Sequence, residues 1–345
     1  MQPRRSTTVH DVARRAGASV AAVSHALNGT GTLSHATRER IIAVASEMDY
    51  RADAVARELR RSPLGVFGVV IRPLDVFGHY RPDGVDVYRR VIGTLASAAL
   101  DAGKGTMLLP DLTRRPLPPL ALSLDGYIVI DPVSNDPVIE LLDSREIPYV
   151  TLGRIPGRPA FSWWVSENDA QTIELILDSH FARGARSIHL VMGTLRTAWN
   201  LDSERMYRTW TRARGLTPHV VRVAEDLGAE GGRDAVARLL RRGTPDAVHC
   251  LTGRHAAGVL EGLRAHGLEV PRDVLLSAGS DAEPALRARP AISAAVLGHP
   301  ELGQALVGLL IDRLAGGAAP PPRLLTPEYI ERESTGLARP AEPRP

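Results

Sequence analysis

Few of the residues able to do chemistry stand at spacings that chemistry requires. The eleven histidines are scattered and form no HExxH pair, so the zinc-binding helix motif is missing. Cys250 is the single cysteine, which rules out an internal disulfide and a cysteine-clustered metal site. Gly29-Thr30-Gly31 has no strand before it and is no nucleotide fingerprint, and neither a P-loop nor a GxSxG elbow occurs. No metal or cofactor is implied. One stretch does order its polar groups. Within Thr8–Asn28, the residues Val20, Ala21, Ser24, His25 and Asn28 share one face of a short helix. Small and polar side chains suit a surface pressed against base edges and phosphates. The competing reading is the solvated face of a small helical bundle.

The elements that must hold this face are legible. Thr8 caps a first helix, with Asp11 three residues on, and Val9, Val12, Ala13 and Ala16 give it an apolar side. Gly17 permits the left-handed backbone of a sharp turn. Ser19 caps the second helix, Val23 and Leu27 point back to the first, and Asn28-Gly29 ends it. This is a helix-turn-helix, whose second helix fits the DNA major groove. Ser34 starts a third helix with Ile41, Ile42, Ala45 and Met48, completing a headpiece over residues 1–50.

Charge supports a nucleic-acid partner at this end only. The net charge is +3, yet residues 1–62 hold ten Arg against six Asp or Glu, while the remainder holds 32 basic and 33 acidic residues. The basic excess lies where phosphate contact needs it. The 345 residues suffice for two or three domains, and a composition 44% hydrophobic but only 4% aromatic builds cores of Ala, Leu and Val. The amino terminus has no apolar signal core, and no run of about 18 apolar residues exists to span a membrane. A cytoplasmic protein is expected.

Residues 51–64 read as a linker, with a marginal helix from Asp53 that Ser62-Pro63-Leu64-Gly65 breaks. From Val66 onward, short apolar runs alternate with amphipathic stretches. Strands are predicted at 66–71, 106–109, 127–130, 149–152, 188–192, 220–223, 247–251, 275–278 and 294–297. Helices are predicted near 87–102, 136–145, 169–183, 203–214, 231–242, 254–266 and 300–315. Alternation of this kind predicts an α/β body of parallel sheets flanked by helices. The Pro/Gly-rich segment Ile155–Pro159 suggests a crossover between two lobes. The first lobe is expected at 65–157 and 298–318, and the second at 158–297 and 319–336. Ligands in such folds sit beyond the carboxyl ends of the strands, here between the lobes. Residues 337–345 read as a disordered tail.

The stretch TTVHDVARRAGASVAAVSHALNG, followed by TRERIIAVASEMDY, resembles the LacI/GalR family of transcriptional regulators. The likeness continues through HFARGARSIHLV, LEGLRAHGLEVPRDV and LTPEYIERES, covering about residues 7–336. It implies a homodimer on a roughly palindromic operator, with a periplasmic-binding-protein-like body whose small-molecule effector alters DNA affinity. By the same resemblance, Val20, Ala21 and His25 stand where bases are read. Thr8, Ser19, Ser24, Asn28 and Thr37 stand where phosphates are contacted or the helix is held. Leu59 stands where a hinge leucine wedges into the minor groove, a step that unstacks bases and kinks the duplex.

Departures accompany the likeness. His25 replaces a common arginine, and Ala52-Asp53 replaces the usual Pro-Asn of the hinge. Gly253 and Ser280 replace aspartates that often hold sugar hydroxyls, while Asp281 stands next door. This predicts an effector with an aromatic or charged part rather than a simple free sugar. Further candidates for the cleft are Arg72 and Asp131 at strand ends, Trp163 and Trp164 at the entry to the second lobe, and Arg205. Surface charge and core packing are their ordinary alternatives.

The leading expectation is a ligand-responsive repressor. A regulator controlled by a protein partner, or by no effector, is the alternative. A solute receptor for transport fits poorly with the headpiece, and a DNA-tethered enzyme lacks a recognisable nucleophile–base pair.

Overall fold

The computed structural model describes residues 9–27, 31, 33–48, 63–73, 86–114, 116–118 and 120–336. It forms two units, Met1–Leu64 and Gly65–Pro345. In the first, α1 (Val9–Ala16), α2 (Val20–Leu27) and α3 (His35–Glu47) enclose Val12, Ala13, Ala16, Val23, Ala26, Ile41 and Ala45. Gly17 takes φ +57° at the turn, the conformation an L side chain resists. The Ser19 hydroxyl accepts from Ala22 N at 3.1 Å and caps α2. Ser34 caps α3 in the same way, accepting from Thr37 N at 3.3 Å. The expected cap at Thr8, the linker 51–62 with its hinge leucine, and the tail 337–345 lie outside the described residues.

The second unit holds two six-stranded sheets. The first contains β1 (Val66–Ile71), β2 (Gly105–Leu109), β3 (Gly126–Ile130), β4 (Tyr149–Leu152), β5 (Trp164–Glu167) and β11 (Arg323–Leu325) in the order β11-β5-β4-β3-β1-β2. The second contains β6 (Ile188–Met192), β7 (His219–Arg222), β8 (Ala247–Cys250), β9 (Leu275–Ala278), β10 (Ser293–Val296) and β12 (Glu328–Ile330) in the order β12-β10-β9-β8-β6-β7. All pairings are parallel except β10 with β12. Continuous burial along β3, β6 and β8 fits strands covered on both faces.

The helices lie against these sheets. In the first lobe α4 (Asp86–Asp101) and α11 (Pro300–Leu314) pack together over Phe67, Val69, Ile128 and Val165. Gly303 permits this closeness, because a Cβ there would run into the Thr94 carbonyl. In the second lobe α8 (Gly228–Leu239) and α9 (Gly253–Ala265) make a similar pair, and a Cβ on Gly258 would collide with the Ala229 backbone. On the opposite face, α6 (Asp169–Ala182) and α7 (Ala198–Ala213) enclose Leu177, Leu190, Tyr207 and Trp210. Two short helices, α5 (Pro137–Ser144) and α10 (Glu283–Arg287), complete the body.

The lobe boundaries differ from expectation in one respect. Strands β5 and β11 pair with each other in the first sheet, Arg323 opposite Val165. Residues 164–167 and 323–325 therefore belong to the first lobe, and the chain crosses over after Glu167 rather than at Ile155–Pro159. These strands escaped the sequence reading because WVSE and RLL are too short to show a period. No helix among the described residues is long and apolar enough to cross a membrane.

Candidate functional site

On the headpiece, Val20, Ala21 and His25 lie on the exposed side of α2 while Val23 and Ala26 face the core. Ser19 is exposed at the start of the helix, and Thr37 is half-buried with its hydroxyl 2.8 Å from that of Ser34. The ring of His25 leans toward the loop after α2, since a Cβ on Gly31 would come within 2.6 Å of His25 Nδ1. The expected contact Asn28 lies outside the described residues, as do Thr8, Leu59 and the side chain of Ser24.

In the body, the carboxyl ends of both sheets face one cavity between the lobes, as parallel sheets dictate. Its volume is about 110 Å³. A water needs roughly 10–15 Å³ on this measure, so the space admits a small molecule. Several strand ends contribute. Asp131 follows β3, Gly153 follows β4, and Glu167 closes β5 with Asp169 just beyond. From the second lobe come Trp199 and Asn200 at the start of α7, Glu225 after β7, and Arg254 and Ser280 after β8 and β9. Tyr88 of α4 completes the wall.

The carboxylates differ in how they are held. Glu225 accepts from Thr194 N, Leu195 N and Asn200 Nδ2 at 2.8–3.0 Å, and lies over Gly193, where a Cβ would strike it. It thereby fixes the loop that brings Trp199 and Asn200 to the cavity. Arg254 crosses beside it, donating to the Glu225 carbonyl at 2.8 Å. Asp131 has φ +52°, a conformation that Asp tolerates better than most, and accepts from the Tyr88 hydroxyl at 3.0 Å. Burial raises Asp131 to about 6 against the pull of that hydrogen bond. Burial raises Glu167 further, to about 7, with Asp131 and Asp281 adding repulsion while Gly298 N and Arg90 oppose it. Asp169 is also pushed well up, by burial first and then by Glu167, Asp131 and Asp202, with Arg154 opposing.

Paired charges bring the two lobes together around the cavity. Arg90 of α4 grips Asp281 with both terminal nitrogens. Arg154 binds Asp202 of α7 through two bonds of 2.7 Å. Ser134 N donates to Arg196 O at 3.1 Å.

The residues singled out from the sequence divide accordingly. Asp131 and Ser280 line the cavity. Asp281 sits behind it, occupied by Arg90. Arg72 does not reach it. That buried guanidinium bonds Asp136 at 2.9 and 3.0 Å and Asp111 at 3.1 Å, tying together the segments that follow β1, β2 and β3. Trp163 packs against the first lobe's core and Trp164 opens β5, so neither lines the cavity nor belongs to the second lobe. Arg205 has a 73% exposed side chain paired with Asp202 at 2.9 Å, outside the cavity. Helix α7 starts at Ala198, capped by Thr197, and not near residue 203; this puts Trp199 and Asn200 rather than Arg205 at the ligand end.

Gly253 has no room for a longer side chain. A Cβ there would lie 2.7 Å from Ser280 O and 2.9 Å from the Ala282 methyl, and Gly253 N donates to Ser280 Oγ at 3.0 Å. The inference that the cavity lacks hydroxyl acceptors therefore fails, because Asp131, Glu167, Asp169 and Glu225 supply them from other strand ends.

The model for bacterial regulatory proteins of the lacI family matches residues 8–53. That for a periplasmic binding protein-like domain matches residues 178–335. The HTH-type transcriptional regulator AscG of Escherichia coli (strain K12) is 26% identical over 346 residues, covering 95% of this chain and 98% of AscG. Catabolite control protein A of Priestia megaterium is 25% identical, covering 96% of this chain and 99% of its own. Among solved structures, a complex of the transcriptional regulator CelR with cellobiose superposes with a TM-score of 0.66 at 23% identity, covering 95% of this chain and 99% of CelR. Headpiece, lobe topology and nearly full-length correspondence agree: the chain belongs to the lacI family of bacterial regulatory proteins.

Proposed function

We propose that this regulator represses transcription as a homodimer on a roughly palindromic operator, and that a small hydroxylated effector in the interlobe cavity alters its hold on DNA. The cavity carries this reading. Four carboxylates, Asn200, Arg254 and the aromatic Trp199 converge there, the equipment for binding hydroxyl groups and a ring. CelR, a protein of the same fold, holds cellobiose. On the headpiece, Val20, Ala21 and His25 would read bases, with Ser19, Ser24, Asn28, Thr37 and Thr8 holding phosphates and Leu59 serving as the minor-groove wedge. Asp131 and Ser280 are proposed effector contacts, and Asp281 acts behind them through Arg90.

The cavity is a binding site rather than a catalytic one on this reading. Among the described residues that line it are two serines, Ser166 and Ser280, of which Ser280 accepts from a backbone amide, and no histidine. The work is done in the cytoplasm, beside the DNA. The decisive experiment selects operators for the full chain from random duplexes, then measures release by metabolites. A palindromic consensus, binding that weakens steeply with salt, and release by at least one hydroxylated metabolite are expected. Selection without a consensus, or turnover of the metabolite, would overturn the proposal.

A further inference from the structure

On the basis that the cavity holds the effector, we propose that the effector carries a positively charged nitrogen beside its hydroxyls, as an amino sugar or aminocyclitol does, seated among Asp131, Glu167 and Asp169.

The cavity wall carries more negative charge than Arg90 and Arg154 offset. These three carboxylates come from the ends of β3 and β5, which flank β4 in one lobe, and all line the cavity. Among the described residues, none of the three forms an ion pair. Asp131 receives one hydroxyl hydrogen bond, from Tyr88, and Glu167 one amide hydrogen bond, from Gly298. Glu167 is only 9% exposed, and its second carboxylate oxygen takes no bond from the protein although the residue faces the cavity. A buried charge group of this kind is normally matched by a cation or a set of donors.

The arginines nearby are committed elsewhere. Arg90 grips Asp281, Arg154 grips Asp202, and Arg254 reaches the carbonyl of Glu225 across the cavity. Glu225 adds a fourth negative charge, met by its own loop amides and Asn200. The amino end of α6 offsets part of the charge on Asp169 alone. The residue types facing the site are thus acceptors in excess of donors. A neutral sugar could donate hydroxyl hydrogens to them but could not neutralise the group. An ammonium supplies three donors and the missing charge together.

The consequence for protons supports the same occupant. Burial favours the protonated carboxyl at Asp131, Glu167 and Asp169, and nearby carboxylates add to it at Glu167 and Asp169 against the partial pull of Arg90 and Arg154. An ammonium lowers the proton affinity of Glu167 and Asp169, so its binding near pH 7 should expel protons, whereas a neutral sugar leaves that affinity raised.

The test uses the full chain and matched pairs that differ by one amine: glucosamine and glucose, galactosamine and galactose, scyllo-inosamine and scyllo-inositol. Calorimetry at pH 7 in two buffers of different ionisation heat reads affinity and proton release together. At least one amine should bind about tenfold or more tightly than its neutral partner, the effect of one charge-assisted hydrogen bond, and should release protons. Glu167→Gln should bring the pair toward parity, and Asp169→Asn should do so independently. If neutral members bind as well as the amines and release the protein from its operator, this inference falls while the effector-controlled reading stands. If no member binds at millimolar concentration, this inference falls as well, and release from the operator by other hydroxylated metabolites decides the effector-controlled reading.

Discussion

Replacing Glu167 with Gln should stabilise the protein, and only above acidic pH. The wild-type carboxyl is raised to about 7 from an ordinary 4.5 by burial at the cavity wall, with Asp131 and Asp281 adding repulsion. For an acid whose folded pKa is raised, the native state binds more protons than the unfolded chain between those two values. Stability therefore falls as pH rises from about 4.5 and reaches its full loss above about 7. The difference of about 2.5 pH units corresponds to about 3 kcal/mol at pH 8, an upper bound because Asp131 and Asp169 relax together with Glu167.

Glutamine keeps an oxygen for Gly298 N, 2.9 Å from Glu167 Oε1, and removes the charge. In a body of this size each kcal/mol moves Tm by roughly 2–4 °C, so the variant should melt roughly 5 °C or more above wild type at pH 8. The gap should close toward pH 4, where both side chains are neutral. Melting curves of both proteins across pH 4–8 measure it. A gap that does not change with pH, or a variant less stable at pH 8, would refute the electrostatic account.

Arg72→Met should destabilise the first lobe by about 3–5 kcal/mol, because it strands Asp111 and Asp136 in the interior without their cation; denaturant unfolding reads this, and effector affinity per folded molecule should stay unchanged. In the second lobe, His180 Nε2 and His249 Nδ1 lie 2.7 and 2.9 Å from Ser277 Oγ, and burial drives both imidazoles down to about 3. A histidine with a depressed folded pKa contributes stability that is complete above its unfolded value and is lost as pH falls from about 6.5 toward 3. His249→Asn should therefore make the acid limb of the stability profile shallower, and an unchanged limb would count against it. His25→Arg should impose a stricter guanine preference at one operator position, worth about 1–3 kcal/mol against a wrong base; the same consensus from both proteins in a randomised-operator selection would show that His25 reads no base.

Long elements with a strong period were readable in advance. The headpiece caps Ser19 and Ser34 and the turn at Gly17 are local chemistry, fixed by side chains within three residues of the groups they serve. The same holds for strands such as Ile188–Met192, a continuous apolar run. Strands β5, β11 and β12 were illegible because their identity depends on partners far away in the chain. Trp164–Glu167 is a strand only because β4 and β11 lie on either side of it. Residue 203 looked like a helix start because the apolar period strengthens there, but Thr197 sets the true start by bonding Asn200 N.

The cavity was harder to read than the fold for a related reason. Its chemistry lives in single residues after strand ends, and nothing in the sequence marks one strand-end carboxylate above another. Asp131 is readable as a cavity-lining residue because β3 is readable as a strand. Glu167 and Asp169 were missed with β5. Arg72 follows β1 in the same manner, yet Asp111 and Asp136 turn it inward. The positions that resemblance emphasised, Gly253 and Ser280, bond each other in the cavity wall, where a Cβ on Gly253 has no space. The acidic equipment therefore stands mainly on the first lobe and after β7, while the β8 end offers Arg254 instead. A ligand spanning the cavity would meet carboxylates on one side and a guanidinium on the other. Closure of the lobes, already braced by Arg90–Asp281 and Arg154–Asp202, would then respond to how well one molecule satisfies both.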